Sequence, residues 1–186
     1  YKSGGANSRS LFYAPFKPET VSIFEGGAKT EFWDHRARFN VAAYTGTYKD
    51  IQLDFSAQYQ QIINGVFLST TRTTTETTNA PGAGHLSGVE AEFTVRPFSD
   101  LTLSASYAHN HVTIPATVNP FPQANGAFIT VPIPIYQVYT PDDSGTIGAD
   151  YEIPVGDAAL QLHLDGNYDS GYFANYTDPG FNTATG

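Results

Sequence analysis

The chain has 186 residues, with 18 Asp and Glu against 9 Lys and Arg, no Cys, 12 Tyr and 13 Phe. This acidic balance excludes a nucleic-acid binder, because no basic cluster is present to neutralise phosphates. The absence of Cys excludes a disulfide scaffold, a thiolate zinc site and cysteine catalysis. No run reaches the ~20 apolar residues of a transmembrane helix.

Alternation of apolar and polar residues predicts six strands. The first, at residues 24–32, has the weakest alternation, and the second runs without a break from Phe39 to Tyr59. The other four occupy residues 89–96, 101–108, 146–153 and 160–168. Successive side chains of a strand point to opposite faces, so each predicted strand has one apolar and one polar face.

The connections between these strands alternate between short and long. Short turns are predicted at residues 33–36, 97–100 and 154–157, where Asp, Pro and Gly supply turn chemistry. Long polar stretches cover residues 61–85, which include a Thr-rich run, residues 112–143, which carry six Pro, and residues 171–186. Loops of this length are uncommon in compact soluble domains, whereas short turns at one end and long loops at the other are typical of outer-membrane barrels. We therefore expect Asp34, Ser99 and Gly156 on the periplasmic side and Thr75, Gly126 and Ala174 on the outer side.

The composition of the two faces also favours a membrane barrel over the alternative, a soluble or surface-attached antiparallel β-sandwich that serves as a binding or adhesion module. The polar face carries Asn, Gln, Ser, Thr, Gly, Asp and Glu rather than the mixed Lys and Glu of a water-exposed sheet. The apolar face has Ala, Val, Leu and Ile in its middle and aromatic residues near its ends, as expected of two aromatic girdles. The residues predicted to face lipid are Phe39, Val41, Ala43, Val89, Ala91, Phe93, Leu103, Ala105, Tyr107, Ile147, Ala149, Tyr151, Leu160, Leu162 and Leu164.

The strand from Phe39 to Tyr59 is about twice the ~9–11 residues that a tilted strand needs to cross the hydrocarbon. We expect its upper half, from Lys49, to stand clear of the membrane as a projecting ribbon, while residues 86–95 pair with the lower half. Asp50, Gln52 and Asp54 would line the vestibule. Ile51, Leu53 and Phe55 would contact lipopolysaccharide sugars or neighbouring loops.

No motif in the sequence predicts an enzyme, a metal site or a cofactor. His109 and His111, with His85 as a further candidate, share the apolar face near the membrane boundary and are interpreted as interfacial rather than metal-binding residues. Asp142, Asp143 and Asp157 are interpreted as solvated carboxylates next to turns. No Gly-x-Ser-x-Gly elbow and no phosphate-binding loop occurs.

Several segments resemble the barrel of TonB-dependent outer-membrane receptors, and the resemblance covers nearly the whole chain. They are YKSGG at residues 1–5, PETV at 18–21, FNVAAY at 39–44, YKD at 48–50, GVEAE at 88–92 and LTLSASY at 101–107. The resemblance implies a bacterial outer-membrane barrel of about 22 strands that imports a scarce nutrient such as a ferric siderophore. Residues 1–186 would then be a partial β-barrel domain from the C-terminal part of the barrel, and we expect a fragment, because the chain begins with Tyr.

The same resemblance implies the partners. They are outer-membrane lipid, lipopolysaccharide, the protein's own N-terminal plug domain and TonB, with the plug and the last strands lying outside this chain. The ligand would be held by plug apices and extracellular loops, where Arg72, Phe121, Phe128, Tyr136 and Tyr139 are the candidate contacts. Arg72 is the only Lys or Arg between Gln61 and His85, and none occurs between Val112 and Asp143. We therefore expect a neutral or aromatic-rich ligand, or a ferric complex whose Arg contacts lie elsewhere.

Overall fold

The computed structural model describes residues 1–8, 14–63, 66–121, 127–128, 130–177 and 181–182, with side chains omitted at 59–63, 66–72 and 181–182. Every regular element in these ranges is a strand. The strands are β1 (Gly5–Ala6), β2 (Pro15–Phe16), β3 (Thr20–Phe32), β4 (Ala37–Lys49), β5 (Gln52–Ile63), β6 (Val66–Asn79), β7 (Ala83–Phe98), β8 (Leu101–Thr117), β9 (Ile133–Ile135), β10 (Asp143–Val155), β11 (Ala158–Asp169), β12 (Tyr172–Phe173) and β13 (Phe181–Asn182). No helix in the described ranges is long and apolar enough to cross a membrane.

Six long strands form one sheet in the order β11-β10-β8-β7-β4-β3, and the short β9 adds to β8. These six are the strands that the alternation predicts. Neighbours in the sheet follow one another along the chain, except that β5 and β6 are inserted between β4 and β7 and β9 lies between β8 and β10. This is the up-and-down order that short hairpins produce.

The register groups the alternating residues of β8, β10 and β11 by face. Ala149 is opposite both Leu103 and Leu164, and Ile147 is opposite Ala105, so these five side chains share one face. On the other face Thr146 is opposite Ser106 and Asn167, and the Ser106 and Thr146 hydroxyls lie 2.7 Å apart. The predicted separation into an apolar and a polar face therefore holds across these three strands.

Short turns lie where the sequence predicts them. Val155 and Ala158 are paired, so Gly156 and Asp157 form a two-residue hairpin loop, and Gly156 has a φ of 61°. A positive φ at the first of the two loop residues is typical of a type II′ hairpin turn, which favours Gly at that position. The turn after β3 is less usual, because Trp33, Asp34 and His35 all have positive φ, between 52° and 62°.

The prediction of one strand from Phe39 to Tyr59 is wrong in one respect and right in another. Asp50, with a φ of 52°, ends β4, and β5 begins at Gln52. As predicted, the lower part pairs with β7 and residues 52–63 form a paired ribbon. The partner of β5 is β6, however, which occupies much of the stretch that we expected to be a long loop.

The chain divides into two compact units. Unit 1 comprises residues 1–22, 47–84 and 113–136, and unit 2 comprises residues 23–46, 85–112 and 137–186. Unit 1 contains the hairpin β1–β2, the ribbon β5–β6 and β9. Unit 2 contains most of the six-stranded sheet.

The two units differ in where they place apolar side chains. Of the described hydrophobic residues that are buried, Ile51, Leu53, Phe55, Ala80, Phe121 and Ile135 belong to unit 1, and only Ala37 belongs to unit 2. Unit 2 instead exposes large apolar side chains, with Ile147 at 67% and Leu164 at 71%. Unit 1 thus has a buried core of its own, whereas the sheet of unit 2 leaves large apolar side chains exposed.

Candidate functional site

A buried carboxylate organises the junction of β3, β4 and β5 within unit 1. Glu19 is only 8% exposed, and its backbone pairs with Lys2 at 2.9 and 3.0 Å. The Tyr48 hydroxyl donates to Oε1 at 2.8 Å, and the Gln52 backbone N–H donates to Oε2 at 2.8 Å. Both carboxylate oxygens therefore have donors, as a buried acid requires.

Side-chain amides tie the N-terminal segment to the ends of the ribbon. The Lys17 N–H donates to Asn79 Oδ1 at 2.7 Å, while Asn79 Nδ2 donates to the Lys17 carbonyl at 3.1 Å and to the Asp50 carbonyl at 2.7 Å. Gln52 Nε2 donates to the carbonyls of Ser3 and Lys17. The Asn79 amide both accepts from and donates to the backbone of Lys17, so it makes the pair of hydrogen bonds that a neighbouring strand would make.

Asn7 repeats this arrangement on β6. The Thr77 N–H donates to Asn7 Oδ1 at 2.9 Å, and Asn7 Nδ2 donates to the Thr77 carbonyl at 2.9 Å. The same Nδ2 lies 3.0 Å from Glu76 Oε1 and 2.9 Å from the Ala14 carbonyl. Asn7 therefore covers the edge of β6 that faces away from β5.

Polar residues also cluster on the polar face of unit 2. His163 lies between two carboxylates, with Nδ1 2.6 Å from Asp150 Oδ1 and Nε2 3.3 Å from Asp165 Oδ1. A cavity of about 360 Å³ opens on this face, and Arg96 and Glu152 are among the residues that line it. Within the described ranges no group of three or more His, Asp or Glu side chains is placed to hold a metal ion.

Asp143, interpreted from the sequence as a solvated carboxylate next to a turn, is the first residue of β10, and its partly exposed side chain also contacts side chains of β8. Its Oδ1 accepts the Tyr107 hydroxyl at 2.6 Å and lies 2.8 Å from His109 Nδ1. His109 is thus placed beside a carboxylate at the end of β10 that lies away from the short turn.

The structure describes the side chains of four of the five candidate ligand contacts, and these four belong to different units. Phe121, Phe128 and Tyr136 belong to unit 1 and Tyr139 to unit 2, and the Arg72 side chain and Gly126 lie outside what the structure describes. Phe121 is 6% exposed, whereas Phe128 and Tyr139 are 60% and 69% exposed. The Tyr139 ring packs on Tyr172 with centroids 5.7 Å apart. Their role as ligand contacts stays a prediction.

Sequence reasoning missed the polar junction of unit 1. Asn7 and Thr77 lie 70 positions apart, and no local pattern connects them. For Asn79 the sequence did contain a signal. The run Asn79-Ala80-Pro81-Gly82 indicates a turn between two strands, which is a position where an Asn side chain often bonds to the backbone. The burial of Glu76 had no signal, because it stands in a run of Thr.

The comparisons with known proteins agree with this architecture. The sequence model of the family described as TonB dependent receptor-like, beta-barrel matches residues 1–186. The comparisons with curated proteins and with solved structures gave no match. The family match and the all-strand structure together confirm the prediction of a barrel segment over that of a sandwich. The chain therefore belongs to the family of TonB-dependent receptor-like β-barrels.

Proposed function

We propose that residues 1–186 are a six-stranded wall segment, with its extracellular loops, of a receptor that takes up a scarce nutrient across the bacterial outer membrane. The observation that carries this proposal is the placement of apolar residues. The sheet of unit 2 exposes Ile147, Leu162 and Leu164 on one face, while six of the seven described hydrophobic residues that are buried lie in unit 1. An apolar sheet face without a protein cover is stable in lipid, and a loop unit in water needs a dry core.

The family supports the partners that go with this role. The apolar face would contact outer-membrane lipid and, near its upper end, lipopolysaccharide. The polar face would line a lumen filled by the protein's own N-terminal plug, and TonB would deliver the energy of the inner-membrane proton gradient. The free edges of β3 and β11 would each pair with a further strand of a barrel of about 22 strands, because unpaired backbone groups are costly in lipid.

The described loop residues support a ligand that is not dominated by anionic groups. Among the described unit 1 side chains, Lys17 Nζ lies 3.8 Å from Asp50 Oδ1. These described side chains include four carboxylates and three Lys, whereas an anionic ligand requires an excess of Arg or Lys. Our proposal is a ferric siderophore or another scarce nutrient of neutral or aromatic-rich character.

Uptake measurements on whole cells test this function. A strain that lacks the receptor gene should lose uptake of one member of a panel of radiolabelled neutral ferric siderophores, and the gene should restore it. A TonB-deficient strain is the matched control and should behave like the deletion. Recovery of the receptor in the soluble fraction, or uptake that is independent of TonB, would contradict the proposal.

A further inference from the structure

In unit 2, the segment that precedes β10 and the segment that follows β11 are bonded to each other at two points. At the first point, the backbone N–H of Tyr139 donates to the Phe173 carbonyl at 3.0 Å. At the second point, the Ser170 N–H donates to the Asp143 carbonyl at 2.9 Å, and the Asp143 N–H donates to the Ser170 hydroxyl at 3.0 Å. These bonds fix the positions of the two segments relative to each other.

The joined segments bring two aromatic rings into contact. The ring of Tyr139 packs on that of Tyr172 with centroids 5.7 Å apart and with an angle of 52° between the ring planes. Tyr139 is 69% exposed, so its contact with Tyr172 leaves most of its surface open to solvent. We call this pair of rings the tyrosine platform.

The backbone of Tyr139 has a conformation that bulky residues rarely adopt. Its φ is 54°, in the left-handed region that favours Gly and, less strongly, Asn, Asp and His. Because Tyr139 buries little of its surface, the stability of the fold does not explain why a large ring is kept at this strained position. Strained residues of this kind are concentrated at sites that bind ligands.

The charges near the tyrosine platform restrict what it can bind. The sequence contains no Lys or Arg after Arg96, whereas Asp142 follows Tyr139 by three positions and Asp169 precedes Tyr172 by three. A carboxylate or phosphate group of a ligand would find no Lys or Arg partner in these segments. The face of a Tyr ring, in contrast, attracts other aromatic rings and cations.

We propose that the tyrosine platform binds an aromatic ring of the ligand that carries no negative charge. Tyr139 stacks on this ring, and Tyr172 supports the Tyr139 ring from the other segment. The bond between Tyr139 and Phe173 holds the platform in place before the ligand arrives, so less conformational freedom is lost on binding. This inference rests on the proposed function, because it assigns one part of an imported nutrient to a site, but binding can be measured without uptake.

Saturation-transfer NMR on the purified full receptor tests the proposal with probes that share an indole ring. N-acetyltryptophanamide is uncharged, tryptophanamide is cationic and N-acetyltryptophan is anionic. We expect the first two probes to bind and the Kd of the anionic probe to be about fivefold higher, because it lacks a Lys or Arg partner. N-acetylleucinamide, which has no aromatic ring, should give no saturation transfer.

Tyr139→Gly separates a binding role from a structural one, because Gly adopts a φ of 54° without strain. The thermal midpoint of the receptor should not fall, whereas the Kd of the uncharged probe should rise about fivefold. Tyr139→Phe keeps the ring and should bind like the wild type. Tyr168→Ala removes an exposed Tyr of β11 outside the platform and is the matched control, which should leave the Kd unchanged.

Unchanged binding of the uncharged probe to Tyr139→Gly and Tyr172→Ala would overturn the proposal. A lower thermal midpoint of Tyr139→Gly would also overturn it, since the ring would then be a structural element. Uptake measurements distinguish this failure from that of the proposed function. Uptake that is independent of TonB would contradict the proposed function and leave the measured probe binding in place, whereas TonB-dependent uptake that is unchanged in Tyr139→Gly would contradict the platform alone.

Discussion

Glu19 and Tyr48 are joined by a hydrogen bond of 2.8 Å from the Tyr48 hydroxyl to Oε1 of the carboxylate. The second oxygen of Glu19 accepts the backbone N–H of Gln52, the first residue of β5. One buried side chain therefore holds the strand before the Asp50 break and the strand after it. The direction in which β5 leaves the break at Asp50 therefore depends on this carboxylate.

Glu19→Leu should destabilise unit 1 by about 1–3 kcal/mol, because it leaves the Tyr48 hydroxyl and the Gln52 N–H without their acceptor. Urea unfolding of the full receptor, followed by limited proteolysis of residues 52–63, measures the loss. Glu25→Leu, at an exposed acid of β3, is the control and should lie within about 0.5 kcal/mol of the wild type. Equal effects of the two substitutions would argue against a special role for Glu19.

Gly88→Ala should destabilise the sheet by about 1–3 kcal/mol. A Cβ at Gly88 would lie within 2.6 Å of the Tyr44 ring and hydroxyl and of the His109 carbonyl oxygen. Gly26→Ala is the matched control, since nothing lies within 4 Å of its Cβ position. Heat-induced unfolding in detergent compares the two variants, and a normal midpoint for Gly88→Ala would contradict the packing described here.

Ala105→Arg should cost about 2–4 kcal/mol of barrel stability if this face meets lipid, because Ala105 lies near the middle of the apolar face, opposite Ile147. Ser104→Arg places the same side chain on the other face of the same strand and should cost less. Unfolding in lipid vesicles is the measurement. A Cys at position 105 that reacts with an aqueous maleimide in intact membranes would be the opposite result.

The two ends of the strands should be distinguishable on whole cells. Cysteines at Thr75 and Ala174 should react with an impermeant maleimide in intact cells, whereas cysteines at Asp34 and Ser99 should react only after permeabilisation. Labelling suits Thr75, because this residue lies in β6 with its hydroxyl 3.0 Å from that of Ser56, and paired strands resist proteolytic cleavage. Labelling of a cysteine at position 34 in intact cells would show that the chain has the opposite orientation in the membrane.

The six wall strands could be predicted because each carries its own signal in the alternation of residues. The break at Asp50 could not, since Leu53 and Phe55 continue the odd positions set by Phe39 and Val41. The alternation shows which side chains are removed from water, but it is the same whether they enter lipid or a protein core. The pattern therefore does not change at the point where β4 ends and the buried face of β5 begins.

The pairing partner of β5 and the buried acids could not be predicted from the sequence for a different reason. β6 is rich in Thr and has polar residues on both faces, so its strand character comes from its pairing with β5 rather than from a pattern of its own. Asn7, Glu19 and Glu76 act through partners that are 29 to 70 positions away. Only the folded chain brings such residues together.

The two amide clamps have a consequence for how the loops can change. Asn7 and Asn79 grip the main chain of Thr77 and Lys17, so the side chains at positions 77 and 17 can be exchanged without loss of these bonds. The Asn residues have no such freedom, because Asp lacks the donor and Ser cannot span both backbone groups. Receptors could thus differ widely in the side chains at positions 17 and 77 as long as both Asn residues are kept.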